Sequence, residues 1–125
     1  RAALGAGGRE RLQAALRAAL DECKTLAAAG DAGVVEALKT TSAYLARGYK
    51  GRPVFLDNEV FKATVAKVPA AVRLFDAAGY VQIPGDPDGD GDAKRDQLHP
   101  THRNLAVFET CVAEIDRARE GLPAA

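Results

Sequence analysis

Residues 55–80 read FLDNEVFKATVAKVPAAVRLFDAAGY, and the punctuation of this stretch sets the fold. Pro53 and the Asp57-Asn58 pair bound Val54, Phe55 and Leu56, a run too short for a helix and therefore extended or turn-like. Asn58 is placed to cap the next helix, its side-chain oxygen accepting a hydrogen bond from an otherwise unpaired N–H. That helix is predicted to be short and to carry Val60, Phe61 and Val65. Pro69 suits the first turn of another helix with Val72, Phe75 and Ala78 facing inward. Gly79 stops that helix in the left-handed conformation that glycine adopts at little cost.

Upstream, Leu12, Leu16, Leu20, Cys23 and Ala27 recur at three- and four-residue spacing, with Gly30 as the stop. Val34, Leu38, Thr41 and Leu45 mark a second helix, with Asp31 as its cap and Gly48 as its terminator. Downstream, Tyr80, Val81 and Ile83 read as a strand, and Gln97–Pro100 as its hairpin partner across a long Asp/Gly loop. The closing helix takes Thr101 as cap and Leu105, Phe108, Val112 and Ile115 as its apolar stripe. The predicted class is mainly α with a small β-hairpin: a compact helical bundle on a short antiparallel sheet. The order is a first helix or N-terminal extension in residues 1–30, a domain in 31–120 and a fraying tail in 121–125.

Composition narrows function. The 125 residues amount to one domain. Lys plus Arg and Asp plus Glu balance at 17 each, so no long-range field gathers nucleic acid or an anionic membrane. No apolar run approaches the roughly 20 residues that span a bilayer, and a cytoplasmic monomer is expected. Beginning at Arg1 without Met, the sequence reads as a piece of a longer protein. Cys23 and Cys111 fall on apolar helix faces, where a buried, reduced thiol is the expectation.

Catalytic and metal motifs are weak. Asp86, Asp88, Asp90 and Gly91 match positions 1, 3, 5 and 6 of an EF-hand loop, but Gln97 stands where the bidentate Glu belongs and the flanks read as strands. An exposed, solvated loop is the expectation. His99, His102 and Cys111 lack a fourth ligand at a usual spacing, and Pro100 breaks the geometry between the histidines. There is no nucleophile elbow, and the early GAGG has neither the preceding strand nor the Lys of a phosphate loop. A noncatalytic domain without cofactor is expected.

The residues from Tyr49-Lys50 through Val54-Phe55-Leu56, Asn58-x-x-Phe61, Val65, Val68 and the helix ending Gly79-Tyr80 resemble the PUB (PUG) domain of cytosolic peptide N-glycanase and ubiquitin-pathway proteins. The resemblance runs over residues 34–118 and is strongest at 49–80. It implies an adaptor whose groove docks the acidic, Leu-Tyr-containing C-terminal tail of the AAA ATPase valosin-containing protein (Cdc48 type), linking a parent protein to ubiquitin-dependent and ER-associated degradation. It assigns the groove to Tyr49, Lys50, Arg52, Phe55, Asn58, Val60, Gly79 and Tyr80, with Lys50, Asn58, Gly79 and Tyr80 matching by position. In that role Asn58 bonds the peptide backbone, and Gly79 lets the tail approach the main chain. The sequence departs from the family at Gly51 and Phe55, where an aromatic and a basic residue are common, which implies a less basic or differently registered groove. A calcium-responsive module built on Asp86–Asp92 and a regulatory subdomain of a larger enzyme are the alternatives.

Overall fold

The computed structural model describes residues 6–122 and shows helices packed against a small sheet. The helices are α1 (Ala6–Ala28), α2 (Gly33–Leu45), α3 (Glu59–Ala63), α4 (Pro69–Ala77) and α5 (Leu105–Glu120). The strands are β1 (Val54–Phe55), β2 (Tyr80–Ile83) and β3 (Gln97–Pro100). The mainly α class with a small antiparallel sheet is the one observed. The predicted hairpin is β2–β3, and β1 joins the other side of β3 to give the order β1-β3-β2. Val54 lies opposite Leu98, and Val81 opposite His99.

Helix ends follow local chemistry. Gly30 adopts φ +101°; its N–H donates to Ala27 O, and that of Asp31 to Leu26 O, both at 3.0 Å, closing α1. Asp31 Oδ1 accepts from Gly33 N at 3.0 Å, the first residue of α2. At five residues α3 is too short to persist alone. It is held by the Asn58 cap and by Phe61, which is 2% exposed. Pro69 opens α4 as predicted, and Gly79 follows it at φ +99°.

Three predicted helix ends move: α3 stops at Ala63, and Val65, predicted on that helix, begins a 3₁₀ turn to Lys67. α2 stops at Leu45, before Gly48, which begins a 3₁₀ turn to Lys50 and is buried. A Cβ on Gly48 would drive into the Phe108 ring and stand 2.7 Å from the Tyr80 hydroxyl. What selects glycine here is close approach rather than helix termination. Gly48→Ala is therefore expected to cost about 1–3 kcal/mol as overpacking, read as a lower urea midpoint. An unchanged midpoint would mean that the Phe108 ring moves aside freely.

α5 is capped by Asn104, whose Oδ1 accepts from Ala106 N at 3.0 Å, and not by Thr101. The Thr101 hydroxyl instead donates to Gly79 O, where β3 is still paired with the start of β2. The apolar stripe shifts with the cap: Val107, Phe108, Cys111, Ile115 and Ala118 are buried, whereas Leu105 is 44% exposed.

One core serves the described residues. Leu16, Ala19, Leu20 and Cys23 of α1 belong to the same cluster as Leu38, Leu74, Phe75 and Ile115, so α1 is part of the domain and not an appendage. Buried Thr41 satisfies its hydroxyl on Ala37 O at 2.8 Å. Rings run through the centre from Tyr44 and Phe61 to Phe75, then Tyr80, then Phe108. Leu122 packs against the core, while the rest of the predicted tail, 123–125, lies outside the described residues.

A groove between helix α2 and the β1–α3 segment

Asn58 anchors the site. Its Oδ1 accepts from Val60 N at 2.9 Å and Phe61 N at 3.1 Å, and the Tyr44 hydroxyl donates to it at 3.3 Å. Two backbone N–H donors on one atom identify that atom as the oxygen. The amide nitrogen therefore faces away from the cap, and it makes no hydrogen bond among the described residues. Capping thus uses only the oxygen end of the side chain.

Around Asn58 lies a hollow of about 390 Å³ lined by Glu36, Lys39, Thr40, Ala43, Tyr44, Arg47, Asn58 and Val60. A second of about 230 Å³, lined by Tyr44, Arg47, Arg52, Pro53, Val54 and Tyr80, shares Tyr44 and Arg47 with it. Together they form a groove with one wall from α2 and the other from β1 and the start of α3. Its lining holds Lys39, Arg47 and Arg52 against the single acid Glu36, and none of these four is ion-paired among the described residues. Val60, 55% exposed, supplies an apolar wall. Burial raises the Tyr44 phenol above its ordinary value while the Arg47 cation draws it down. At neutral pH the hydroxyl is protonated and donates.

The groove gathers four of the eight expected residues: Arg52, Asn58, Val60 and Tyr80. Tyr49 turns to another hollow, with Ala46, Leu105, Phe108 and Val112. Lys50 is exposed beside it and lines neither half of the groove. Phe55 lies on the other face of the sheet, beneath the Arg95 guanidinium at 4.0 Å. The space over Gly79 is taken by the His102 ring, whose Nε2 would stand 2.7 Å from an added Cβ. Gly79 therefore closes α4 against His102 and does not open onto the groove. Sequence reasoning missed Tyr44, Arg47, Lys39 and Thr40. Their signal is a polar flank on α2 at helical spacing, beside the buried stripe of Val34, Leu38, Thr41 and Leu45.

Other candidate chemistry is engaged structurally. His102 Nδ1 accepts from Asn104 N at 3.0 Å, which leaves Nε2 to donate to Ala78 O at 2.8 Å, and its ring stacks on Phe108. Cys111 is fully buried. In the Asp-rich loop, Arg95 grips Asp57 through three contacts of 2.6–3.1 Å and Asp92 at 3.0 Å. Hydrogen bonding to Arg95 holds the Asp57 carboxyl below its ordinary value. Among the described residues no group of three or more His, Cys, Asp or Glu is arranged to hold a metal ion. None of the described helices is long and apolar enough to cross a membrane. Comparisons with protein-family models, curated proteins and solved structures find no significant match to the chain.

Proposed function

We propose that this chain is a noncatalytic, PUB-like adaptor whose groove captures an acidic peptide tail. The observation that carries this is the lining of two adjoining hollows that share Tyr44 and Arg47: three cations without an ion pair among the described residues, an apolar wall at Val60, and Asn58 with an amide nitrogen left over from capping. A cationic lining favours a carboxylate-rich segment, and an amide donor matches a peptide carbonyl. The tail implied by the resemblance is that of the valosin-containing AAA ATPase, with its acidic residues and Leu-Tyr pair. On this reading the domain works in the cytoplasm, tethering its parent protein to that ATPase.

An acidic C-terminal peptide containing Leu-Tyr is expected to bind with a Kd of micromolar order, roughly −8 kcal/mol, because a short tail buries little area and must be ordered. Amide resonances of Tyr44, Arg47, Asn58 and Val60 should shift on titration. Asn58→Ala is expected to lower affinity at least tenfold while costing the fold about 0.5–2 kcal/mol as a lost cap. Arg47→Ala should weaken binding without that stability loss. Unchanged affinity in a folded Asn58→Ala variant would reduce Asn58 to a cap and place any docking elsewhere.

A further inference from the structure

Tyr80 is 2% exposed, and its ring is held edge-on between Phe75 at 5.2 Å and Phe108 at 6.2 Å. Core packing therefore fixes where its hydroxyl stands. A tyrosine hydroxyl buried to this degree ordinarily finds a partner. That of Tyr44 donates to Asn58 Oδ1, whereas that of Tyr80 makes no hydrogen bond among the described residues. Gly48 leaves one flank of the hydroxyl open, since a Cβ there would stand 2.7 Å from it. Burial pushes the phenol up to about 12, so at neutral pH it carries a proton to donate.

This side chain lines the smaller hollow, of about 230 Å³, with Tyr44, Arg47, Arg52, Pro53 and Val54. Arg47 and Arg52 have no ion pair among the described residues, and no acid lines this hollow. Glu36, the one acid of the groove, belongs to the adjoining hollow around Asn58. A negative group is thus favoured at the Tyr80 end of the groove over the Asn58 end. An internal peptide unit brings an N–H with every C=O and would meet no carboxylate or side-chain amide here. A chain end brings acceptor oxygens alone, and the planar guanidinium fork matches a carboxylate. The volume is below the roughly 300–1,000 Å³ of small-molecule pockets and suits the end of a chain rather than a segment passing through.

We propose that this hollow is a carboxylate subsite that takes the free C-terminus of the docked tail, bound by the Arg47 and Arg52 guanidinia and by a hydrogen bond from the Tyr80 hydroxyl, while the preceding residues lie along Asn58 and Val60. The inference rests on the groove reading and adds to it a direction for the peptide and a requirement for a chain end. An Asp or Glu side chain offers the same oxygens from within a segment, and the experiment separates that source from the terminus.

The test compares three synthetic peptides by fluorescence anisotropy on the 125-residue chain: a run of Asp followed by Leu-Tyr with a free carboxylate, its C-terminal amide, and the free acid extended by Gly-Gly, which keeps the total charge but moves the carboxylate. The amide and the extended peptide are each expected to bind about tenfold more weakly than the first, the loss of a charge-assisted hydrogen-bond set. Tyr80→Phe should draw the affinity of the free acid toward that of the amide, and Arg52→Gln should do the same from the exposed side. The urea midpoint of Tyr80→Phe should stay in place, because the hydroxyl has no bond within the fold to lose. Equal affinity of all three peptides, with resonances of Asn58 and Val60 still shifting, would overturn the subsite and leave the groove reading standing, the cations then serving Asp side chains. Failure of every peptide to bind would remove the groove reading and the subsite with it. A midpoint lowered by Tyr80→Phe would also overturn the subsite, by revealing a structural partner for the hydroxyl.

Discussion

Phe75→Ala is expected to destabilise the domain by about 3–5 kcal/mol, the cost of removing a buried aromatic ring and leaving a cavity. Phe75 is fully buried, with Phe61 at 6.0 Å, Tyr44 at 6.1 Å and Tyr80 at 5.2 Å between ring centroids. Because helices from both sides of the core converge on it, collapse cannot refill the space without moving α2 or β2. Typical domains have only about 5–15 kcal/mol in total. The urea midpoint should therefore fall steeply at constant slope, and part of the population should be unfolded at 37 °C. Tyr44 and Tyr80 both line the groove, so peptide affinity should fall in whatever fraction stays folded. A loss below about 1 kcal/mol would contradict the cavity argument. Phe55→Ala provides the contrast: this ring lies on the outer sheet face under Arg95, and its loss should cost far less.

The second large effect comes with alkali. Burial pushes the Cys23 thiol from its ordinary 9.0 up to about 11, and the Cys111 thiol from 9.0 to about 12. The Tyr80 phenol moves from 10.0 to about 12, chiefly by burial and further through nearby Cys111. In each case the folded chain keeps a proton that the unfolded chain releases at lower pH, so rising pH favours unfolding. Stability should be full below pH 9, begin to fall as unfolded thiols ionise, and keep falling toward pH 12. Each tenfold difference in proton affinity between folded and unfolded chain is worth about 1.4 kcal/mol. The combined loss is on the order of several kcal/mol, enough to rival the Phe75 substitution. Denaturation midpoints at pH 7, 9, 10 and 11 under reducing conditions would show it. A Cys23→Ala/Cys111→Ala variant should lose the portion that begins near pH 9. Below pH 9 thiol reagents should label native protein slowly and unfolded chain fast. Fast native labelling, or a midpoint flat to pH 11, would show that these groups reach solvent.

Both effects arise from burial that the sequence marks only in part. Helical spacing places Cys23 and Cys111 on apolar faces, because three- and four-residue periodicity reports which side of a helix meets the core. The same spacing selects Leu105 for the closing stripe, and there it misleads. Thr101 and Asn104 are both capping residues; Thr101 is engaged with Gly79 across the strand end, Asn104 caps the helix, and the docking of α5 on α2 leaves Leu105 outward.

Local chemistry is sufficient where neighbours in sequence satisfy one another. Asn58 needs only Val60 and Phe61 to cap α3, Pro69 only its own ring to open α4, and Gly79 only its missing Cβ to end it, so these boundaries are legible in the chain. β1 is legible as an extended segment but not as a strand, because two residues have no period and its partner lies more than 40 positions away. Gly48 reads as a helix stop because the Phe108 ring that excludes a side chain there arrives from the far end of the sequence. The groove follows the same division. Asn58 and Val60 stand on the punctuated segment, whereas Tyr44 and Arg47 read alone as an ordinary helix flank. Local propensity sets most of the element boundaries; long-range packing of α2 against α4, α5 and the turn at 65–67 selects which side chains share a surface, since that depends on contacts no short window of sequence contains.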